Sequence, residues 1–188
     1  MGTRWNVRKS WRVEAAVKIG INCGSGQRPF TSVFDEVQWV NVDSQPRWDP
    51  DLVCDGAHLP YPDEYADYFV LHHVLEHFGC GEAEDLINEA FRVLKREGSL
   101  IVCVPNMHEL AVGWMSKRIT TQIYMTNVYG AYMGSEDDRH KWGFDRNSLV
   151  EFLAGQRPWS HINFFDFRQI PGASIAQDWW ILGMECRK

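Results

Sequence analysis

Short, continuous apolar runs separated by polar turns recur along the first half of the chain. Such runs are typical of strands that are covered on both faces, whereas a strand with one solvent-exposed face alternates apolar and polar residues. The pattern predicts five strands, each closed by a glycine, an acidic residue, a histidine or a proline. They cover residues 17–21, 37–42, 52–54, 66–71 and 99–104.

Two segments show the three- to four-residue apolar spacing of amphipathic helices. Residues 82–96 begin with acidic and end with basic side chains, and Gly98 follows where a C-terminal stop is expected. Residues 145–153 begin with Asp145, a favourable N-cap. Strands and helices therefore alternate, which predicts an α/β domain with a mainly parallel sheet.

The last part of the chain departs from this alternation. Residues 163–168 and 179–185 are two strand-like runs joined through Pro171-Gly172, which predicts a hairpin and an antiparallel edge. Residues 107–142 are the least periodic part and are rich in tyrosine and methionine. We interpret them as an insertion with one helix near residues 110–118, serving as a lid or acceptor-binding segment of a single domain that spans residues 1–188.

Composition narrows the class of function. The 188 residues carry 19 basic and 25 acidic side chains, a net charge of −6, which argues against a general nucleic-acid or polybasic membrane binder. The five cysteines form no CxxC pair, which favours reduced thiols and a cytoplasmic location. We expect neither a secretory signal nor a membrane span. The early basic residues are interpreted as a solvated start: Arg4, Arg8, Lys9 and Arg12.

Candidate chemistry lies at the ends of the predicted strands, because ligands of open α/β sheets bind beyond the carboxyl ends. Glycines let the backbone approach a ligand, an acid can accept both hydroxyls of a ribose, and Asp-Gly-Ala can hold an adenine edge. In strand order, the ends are Cys23-Gly24-Ser25-Gly26, Asp43, Asp55-Gly56-Ala57, His72-His73 and Pro105-Asn106. The third glycine of GxGxxG is missing, and the absence of GKS or GKT excludes a P-loop.

In this order and spacing the segments resemble the class I S-adenosylmethionine-dependent methyltransferases of the small, type 11-like family. The matching blocks are IGINCGSG (19–26), VNVD (40–43), DGAHLPYP (55–62), VLEH (74–77), RVLK (92–95), VPN (104–106) and HKWGF (140–144). The resemblance implies a Rossmann-like, doubly wound, mainly parallel seven-stranded sheet with an antiparallel C-terminal strand. It also implies S-adenosylmethionine as cofactor and a small-molecule, glycan or lipid acceptor.

The resemblance further implies which residues contact the cofactor. Those expected beside its methionine part are Asn22, Cys23, Gly24 and Gly26; Asp43 is expected at the ribose; Asp55, Gly56 and Ala57 at the adenine; and His72 at the sulfonium. Two positions depart from the family pattern. Gly20 stands where a polar residue is usual, and Asn22 stands where the first glycine is usual.

Methyl transfer from a sulfonium is an in-line displacement, so the protein mainly positions the acceptor and excludes water. A hydroxyl acceptor also needs a base, and the ordinary pKa of histidine suits that role near neutral pH. The candidates are His73, His77 and His140, each of which has a packing or capping role as its alternative. Glu76 could share a helical face with His73 and His77, but no third metal ligand is evident, so no metal is expected.

Three functions stay open. The first is an S-adenosylmethionine-dependent methyltransferase acting on an oxygen of a small-molecule, sugar or lipid acceptor. The second is a nonenzymatic protein of the same fold that binds the cofactor or a partner subunit. The third, a nicotinamide oxidoreductase, is opposed by the missing GxGxxG, and the lack of a DPPY-like tetrad after the fourth strand opposes amino methylation of DNA bases. The acceptor and the oligomeric state are not encoded in any recognisable pattern.

Overall fold

The computed structural model of the protein describes residues 17–31, 34, 36–131, 135–170 and 179–188. Two expectations from the sequence, the solvated basic start and the connection through Pro171-Gly172, lie outside these described residues.

The described residues form a seven-stranded sheet with the strand order β3-β2-β1-β4-β5-β7-β6. The strands are β1 (Lys18–Cys23), β2 (Val37–Asp43), β3 (Leu52–Val53), β4 (Ala66–His72), β5 (Leu94–Pro105), β6 (His161–Phe164) and β7 (Ile181–Arg187). The first five are parallel, whereas β7 runs antiparallel to both β5 and β6. The predicted Rossmann-like, mainly parallel sheet with an antiparallel end is confirmed.

Both faces of the sheet are covered, which explains the continuous apolar runs. The helices are α1 (Cys80–Val93), α2 (Met107–Met115), α3 (Thr121–Tyr129) and α4 (Arg146–Gln156). One core packs α1 and α4 against the sheet, with Leu86 and Leu149 fully buried. The other core gathers Phe30, Trp39 and Leu110 on the opposite face. Among the described residues, none of the helices has the length and apolar character needed to cross a bilayer.

The predicted first helix is too long at its C-terminal end. The helix ends at Val93, and Leu94 takes extended backbone with ψ 135° and pairs with Ala66 of β4. Lys95 therefore lies in β5, where its Nζ binds Asp67 at 2.8 Å. Gly98 is not a helix stop but a strand residue whose carbonyl accepts from the Lys188 amide. Pairing with the sheet thus overrides the local helix signal.

Helix α2 begins three residues before the predicted start, because the Asn106 side chain caps it by accepting from the amides of His108 and Glu109. Helix α3 was not predicted. It buries none of its side chains, so it lacks an apolar stripe, although Thr120 is a proper N-cap that accepts from the Ile123 amide. The first strand of the C-terminal hairpin is β6, which ends at Phe164 rather than at residue 168.

Candidate cofactor and acceptor site

Three candidate residues lie side by side at the carboxyl edge of the sheet. Cys23 of β1 pairs with Val42 of β2 and with Leu71 of β4. Because these strands are parallel and in register there, the residues that follow are neighbours across the edge: Gly24, Asp43 and His72. The edge predicted from the strand ends is therefore assembled as a continuous surface.

The turn after β1 wraps the end of β2. The amides of Gly24 and Ser25 both donate to the carbonyl of Val42, at 2.8 and 3.0 Å. Gly24 has φ +71°, and a Cβ there would lie 2.5 Å from the Val74 side chain, so this glycine is required by packing as well as by backbone geometry. Gly26 has φ +49° and borders open space, since a Cβ there would meet nothing within 4 Å.

Asp43 holds this turn in place with a largely buried carboxylate that is 8% exposed. Its Oδ2 accepts from the Gly26 amide at 2.8 Å, and its Oδ1 accepts from the Gln45 amide at 2.8 Å. Each carboxylate oxygen has a second lone pair, so the group retains capacity to accept from a diol. Asp43 is therefore both a structural acceptor and a candidate for the ribose.

Asp55 is an exposed turn residue. Its Oδ1 accepts from the Ala57 amide at 2.9 Å, and its Oδ2 lies 3.1 Å from Nδ1 of His58. The Ala57 amide, together with His58, outweighs partial burial and lowers the pKa of Asp55, so its carboxylate is charged at neutral pH. The Ala57 N–H is used inside the turn, and Gly56 packs so closely on the Cys23 thiol that a Cβ at position 56 would collide with its sulfur.

The two departures from the family pattern have a packing explanation. A Cβ at Gly20 would lie 2.6 Å from the ring of Trp39, which is 8% exposed, so this position has no room for a polar side chain. Asn22 is buried and donates through Nδ2 to Asn41 Oδ1 at 2.9 Å and to the Arg28 carbonyl at 3.3 Å. Its side chain thus joins β1 to β2.

Cys23 and His72 are both neutral groups at this edge. Burial raises the pKa of the Cys23 thiol well above its ordinary value, which excludes a thiolate nucleophile there. Burial, with the neighbouring His73, lowers the pKa of His72 to about 3. The Nε2 atom of His72 is buried and has no hydrogen-bond partner among the described residues, so it is an unsatisfied polar atom at the predicted sulfonium side.

The three candidate histidines come together around one carboxylate, that of Glu76. His73 has φ +58°, and its Nδ1 lies 3.0 Å from Glu76 Oε1. The rings of His77 and His140 meet edge to face, with centroids 4.8 Å apart. One potential ligand atom from each of Glu76, His77 and His140 lies within 4.8 Å of the others.

Glu76 is only 1% exposed, yet it stays ionised. Burial opposes ionisation, but the hydrogen bond from His73 and the proximity of His77 and His140 outweigh it and lower the pKa of Glu76. Burial also lowers the pKa of His140, which favours its neutral form. Sequence reasoning named Glu76 only as a metal possibility; its position between candidate histidines in the Leu-Glu-His block was the signal for a larger role.

The segment before α4 crosses the edge of the sheet. Asp137 Oδ2 accepts from Gln45 Nε2 at 2.7 Å, and Asp138 pairs with Arg47 at 3.2 Å, so this turn touches the loop after β2. A few residues later, the amides of residues 141 and 142 donate to the Glu76 carbonyl after β4. The acidic run 136–138 is thus bonded to the loop after β2.

An open groove of about 800 Å³ runs along α1 from the turn at Ala57 to the C-terminus. It is lined by His58, Glu89, Arg92, Arg157 and Lys188 among others. Its central cation, Arg92, is already paired with Glu89 at 2.7 Å and with Asp63 at 2.8 Å. The groove is lined by Ala57 but by none of the candidate histidines.

The residues at this edge fit the nucleoside part of S-adenosylmethionine. Open space borders Gly26, a carboxylate follows β2, a charged acid follows β3, and an unsatisfied imidazole nitrogen follows β4. The polar residue usual at position 20 is absent, and the residues expected beside the methionine part are Asn22, Cys23, Gly24 and Gly26. The arrangement can bind a nucleoside and accept a proton beside it.

Comparison with known proteins points to one family. Residues 21–102 match the model of a methyltransferase domain, the segment that contains half of β1, all of β2 to β4 and most of β5. No curated protein matches the chain. Many solved structures match it, all of those considered below at low sequence identity, so they inform on fold alone.

Three of these structures illustrate the likeness. A S-adenosylmethionine-dependent methyltransferase from Methanosarcina mazei is 13% identical with a TM-score of 0.61, covering 92% of this chain and 93% of its own. The 1,6-didemethyltoxoflavin-N1-methyltransferase of Burkholderia thailandensis, with bound 1,6-didemethyltoxoflavin and S-adenosylhomocysteine, is 15% identical with a TM-score of 0.56, covering 96% of this chain and 81% of its own. A Haloferax volcanii protein in complex with the Trm112 methyltransferase activator is 12% identical with a TM-score of 0.57, covering 91% and 82%.

Proposed function

We propose that this chain is a class I S-adenosylmethionine-dependent methyltransferase that transfers a methyl group to an oxygen of a small-molecule, glycan or lipid acceptor. The methyltransferase-domain match over residues 21–102 and the fold support this proposal. The observation that carries the proposal is the paired His73 and Glu76 directly after β4, beside the edge that fits the cofactor. We also propose a cytoplasmic location, which the free thiols of its cysteines support.

The cofactor supplies an electrophilic methyl group on a sulfonium. In our proposal Asp43 accepts from the ribose hydroxyls while it keeps the turn at Gly26 in place. Asp55 provides a negative charge at the adenine end. His72, neutral and with its Nε2 unsatisfied, lies beside the sulfonium side, where a neutral group avoids repelling a cation.

His73 is our candidate for the general base. Donation from its Nδ1–H to Glu76 Oε1 leaves Nε2 as the acceptor nitrogen, so the carboxylate sets the tautomer. The buried negative charge of Glu76 also stabilises the imidazolium that forms when Nε2 takes a hydroxyl proton. His73 is about a third exposed, which leaves its ring accessible to an acceptor.

In our proposal, the segment 135–142 shields the carboxyl edge of the sheet from water. It joins the loop after β2 to the turn after β4, so it covers part of the edge and reduces access of water to it. Acceptor specificity then belongs to this insertion, because the other walls of the edge are strand ends engaged in cofactor contacts. We propose residues 107–142 as the acceptor-binding lid.

Cofactor binding is tested by thermal unfolding with S-adenosylhomocysteine and, separately, with NAD. A ligand at 100 times its Kd stabilises the native state by about 2.7 kcal/mol. We expect a shift of the melting temperature with S-adenosylhomocysteine and none with NAD. A shift with NAD alone would overturn the proposal in favour of an oxidoreductase.

The base is tested by His73→Gln in the presence of a methyl acceptor found by screening hydroxylated compounds with radiolabelled S-adenosylmethionine. We expect turnover to fall by about 10²–10⁴-fold, as is typical for loss of a general base, with S-adenosylhomocysteine affinity within a few-fold of wild type. The matched control is His161→Gln, an exposed histidine on β6. Unchanged turnover in His73→Gln would remove His73 from the mechanism.

A nonenzymatic role is the second candidate function. It is favoured by the packing at Gly20, where the Trp39 ring leaves no room for the polar side chain that usually anchors the methionine end of the cofactor. One structural neighbour is in complex with an activator subunit. In this second proposal, the present chain also binds a partner subunit. Binding of S-adenosylhomocysteine without turnover on any acceptor, alone or with cell extract, would favour this candidate.

A further inference from the structure

We propose that Glu76, His77 and His140 bind a divalent transition-metal ion of the zinc class. Their potential ligand atoms already lie within 4.8 Å of one another. Two ligand atoms of a tetrahedral zinc site, with bonds of about 2.0–2.1 Å, are roughly 3.3 Å apart. We expect the three side chains to close this difference when the ion binds.

The hydrogen bonds of both histidines prepare them as ligands. Nδ1 of His77 lies 3.2 Å from the Arg139 carbonyl, and Nδ1 of His140 lies 2.8 Å from the Asn127 carbonyl. A carbonyl only accepts, so each Nδ1 carries a proton, and Nε2 is the ring nitrogen left to bind a metal. A ring N–H donated to a backbone carbonyl is the usual second contact of a metal-binding histidine, because it fixes the tautomer and orients the ring.

Glu76 supplies the charge that the cation would neutralise. Its Oε1 is bound to His73, but its Oε2 is buried and has no hydrogen-bond partner within the described residues. A buried carboxylate oxygen without a partner is costly, since it has lost water and gained nothing in return. A metal ion at Oε2 would satisfy this atom, and it would account for a buried carboxylate beside two imidazole rings.

The donor set selects the ion. Two imidazole nitrogens and one carboxylate oxygen suit zinc and its neighbours among the divalent transition metals, whereas magnesium and calcium prefer oxygen ligands throughout. Three protein ligands leave a fourth position for water or another oxygen ligand, as in catalytic zinc sites. Glu76 and His77 lie in the turn after β4, and His140 lies in the segment before α4. The ion would therefore also join these two parts of the chain.

The test is zinc binding by the full chain. Protein stripped with EDTA is titrated with Zn²⁺ against a chromophoric zinc indicator, and the expected result is one ion per chain. We expect His140→Ala, His77→Ala and Glu76→Gln each to weaken the affinity by at least about 100-fold, beyond the 10- to 100-fold typical of loss of a supporting contact. Circular dichroism establishes that each variant is folded; if Glu76→Gln is not, the two histidine variants decide.

Two control variants separate a built site from adventitious binding. His161→Ala removes an exposed histidine on β6, and Cys80→Ser removes the exposed thiol nearest in sequence to His77. Both should bind zinc like the wild type. Absence of stoichiometric binding would overturn the proposal, and so would loss of binding in a control variant with retention in His140→Ala. Cobalt absorption bands that wild type shows and His140→Ala lacks would support it independently of any methyl transfer.

Discussion

At the scale of single residues, the same side chains serve the local structure and the proposed chemistry. Asp43 accepts two backbone amides at the end of β2, and Glu76 orients His73 while it remains almost fully buried. Such dual use has a physical reason, because a carboxylate has about four acceptor positions and one turn uses only two of them. Substitutions at these positions therefore have to be judged by ligand binding and by stability together.

The first prediction concerns Asp43. Asp43→Ala should weaken S-adenosylhomocysteine binding by about 10- to 150-fold, since charge-assisted hydrogen bonds are worth about 1.5–3 kcal/mol. It should also lower the melting temperature of the free protein, because the amides of Gly26 and Gln45 lose their acceptor. Titration calorimetry and thermal unfolding are the measurements. Glu151→Ala on the surface of α4 is the control, and unchanged affinity in Asp43→Ala would exclude Asp43 from the ribose site.

At the scale of secondary structure, the close packing of β1 on β2 determines what the cofactor edge can contain. Gly20 of β1 makes room for the ring of Trp39, which packs edge to face on Phe30 with ring centroids 5.0 Å apart. The missing polar residue at position 20 is thus a consequence of an aromatic cluster on one face of the sheet. The turn after β1 is held separately, by amides that donate to β2.

The second prediction tests this packing. Gly20→Ala should destabilise the fold by about 1–3 kcal/mol, since the added carbon must displace the Trp39 ring. Gly155→Ala is the matched control: its Cβ would meet nothing within 4 Å, and alanine should gain up to about 1 kcal/mol inside α4. Urea unfolding compares the two. Equal stability of both variants would show that Trp39 does not require a glycine at position 20.

The third prediction concerns the insertion 107–142. Within residues 17–188, we expect trypsin to cleave first in this insertion, after Lys117, Arg118, Arg139 or Lys141. One reason is that α3 buries none of its side chains. Another is that exposed polar contacts, such as that of Arg47 with Asp138, hold the segment only weakly. S-adenosylhomocysteine together with an acceptor should slow these cuts. Mass spectrometry of the fragments identifies the sites. First cleavage elsewhere, or no protection by ligands, would contradict a lid at residues 107–142.

At the scale of the whole molecule, the fold gathers ionisable groups at one edge while both faces of the sheet are apolar. His72 is held neutral by burial, and its pKa of about 3 lies far below that of an unfolded histidine. Glu76 is held ionised in spite of its burial. The stability of the whole domain should therefore depend on pH in a window that these groups define.

The fourth prediction states how the free energy of unfolding changes as the pH falls. Between about pH 6.5 and 3 the unfolded chain protonates His72 and the native state does not, so acid favours unfolding. The free energy of unfolding should fall by up to about 1.4 kcal/mol per pH unit in this window. His140 adds in the same direction, and Glu76 does so only below its ordinary pKa of 4.5.

Urea unfolding at pH 7.5, 6.5 and 5.5 with EDTA present measures this dependence. His72→Leu should reduce the slope between pH 6.5 and 5.5, whereas the control His161→Leu, which changes an exposed residue, should retain it. Identical slopes in wild type and His72→Leu would show that His72 is not held neutral in the native state.

The mainly parallel sheet and the common edge of its strand ends could be predicted from the sequence. Runs such as the one in β4 are apolar throughout because both faces are covered, and residues that follow parallel strands must meet at one edge. That argument placed Gly26, Asp43, Asp55 and His72 together, and the pairing of β1 with β2 and β4 agrees with it. These features depend on local spacing, which is visible along the chain.

The helix end at Val93, the glycine at position 20 and the meeting of Glu76 with His140 depend on contacts between distant parts of the chain. Helix α1 ends at Val93 because Leu94 pairs with Ala66, a residue 28 positions earlier in the chain, and no local signal reports this pairing. Gly20 is explained only by the ring of Trp39 on the neighbouring strand. The third ligand of the proposed metal site, His140, lies 63 positions beyond His77, so it met Glu76 only when the chain segment before α4 packed against the end of β4.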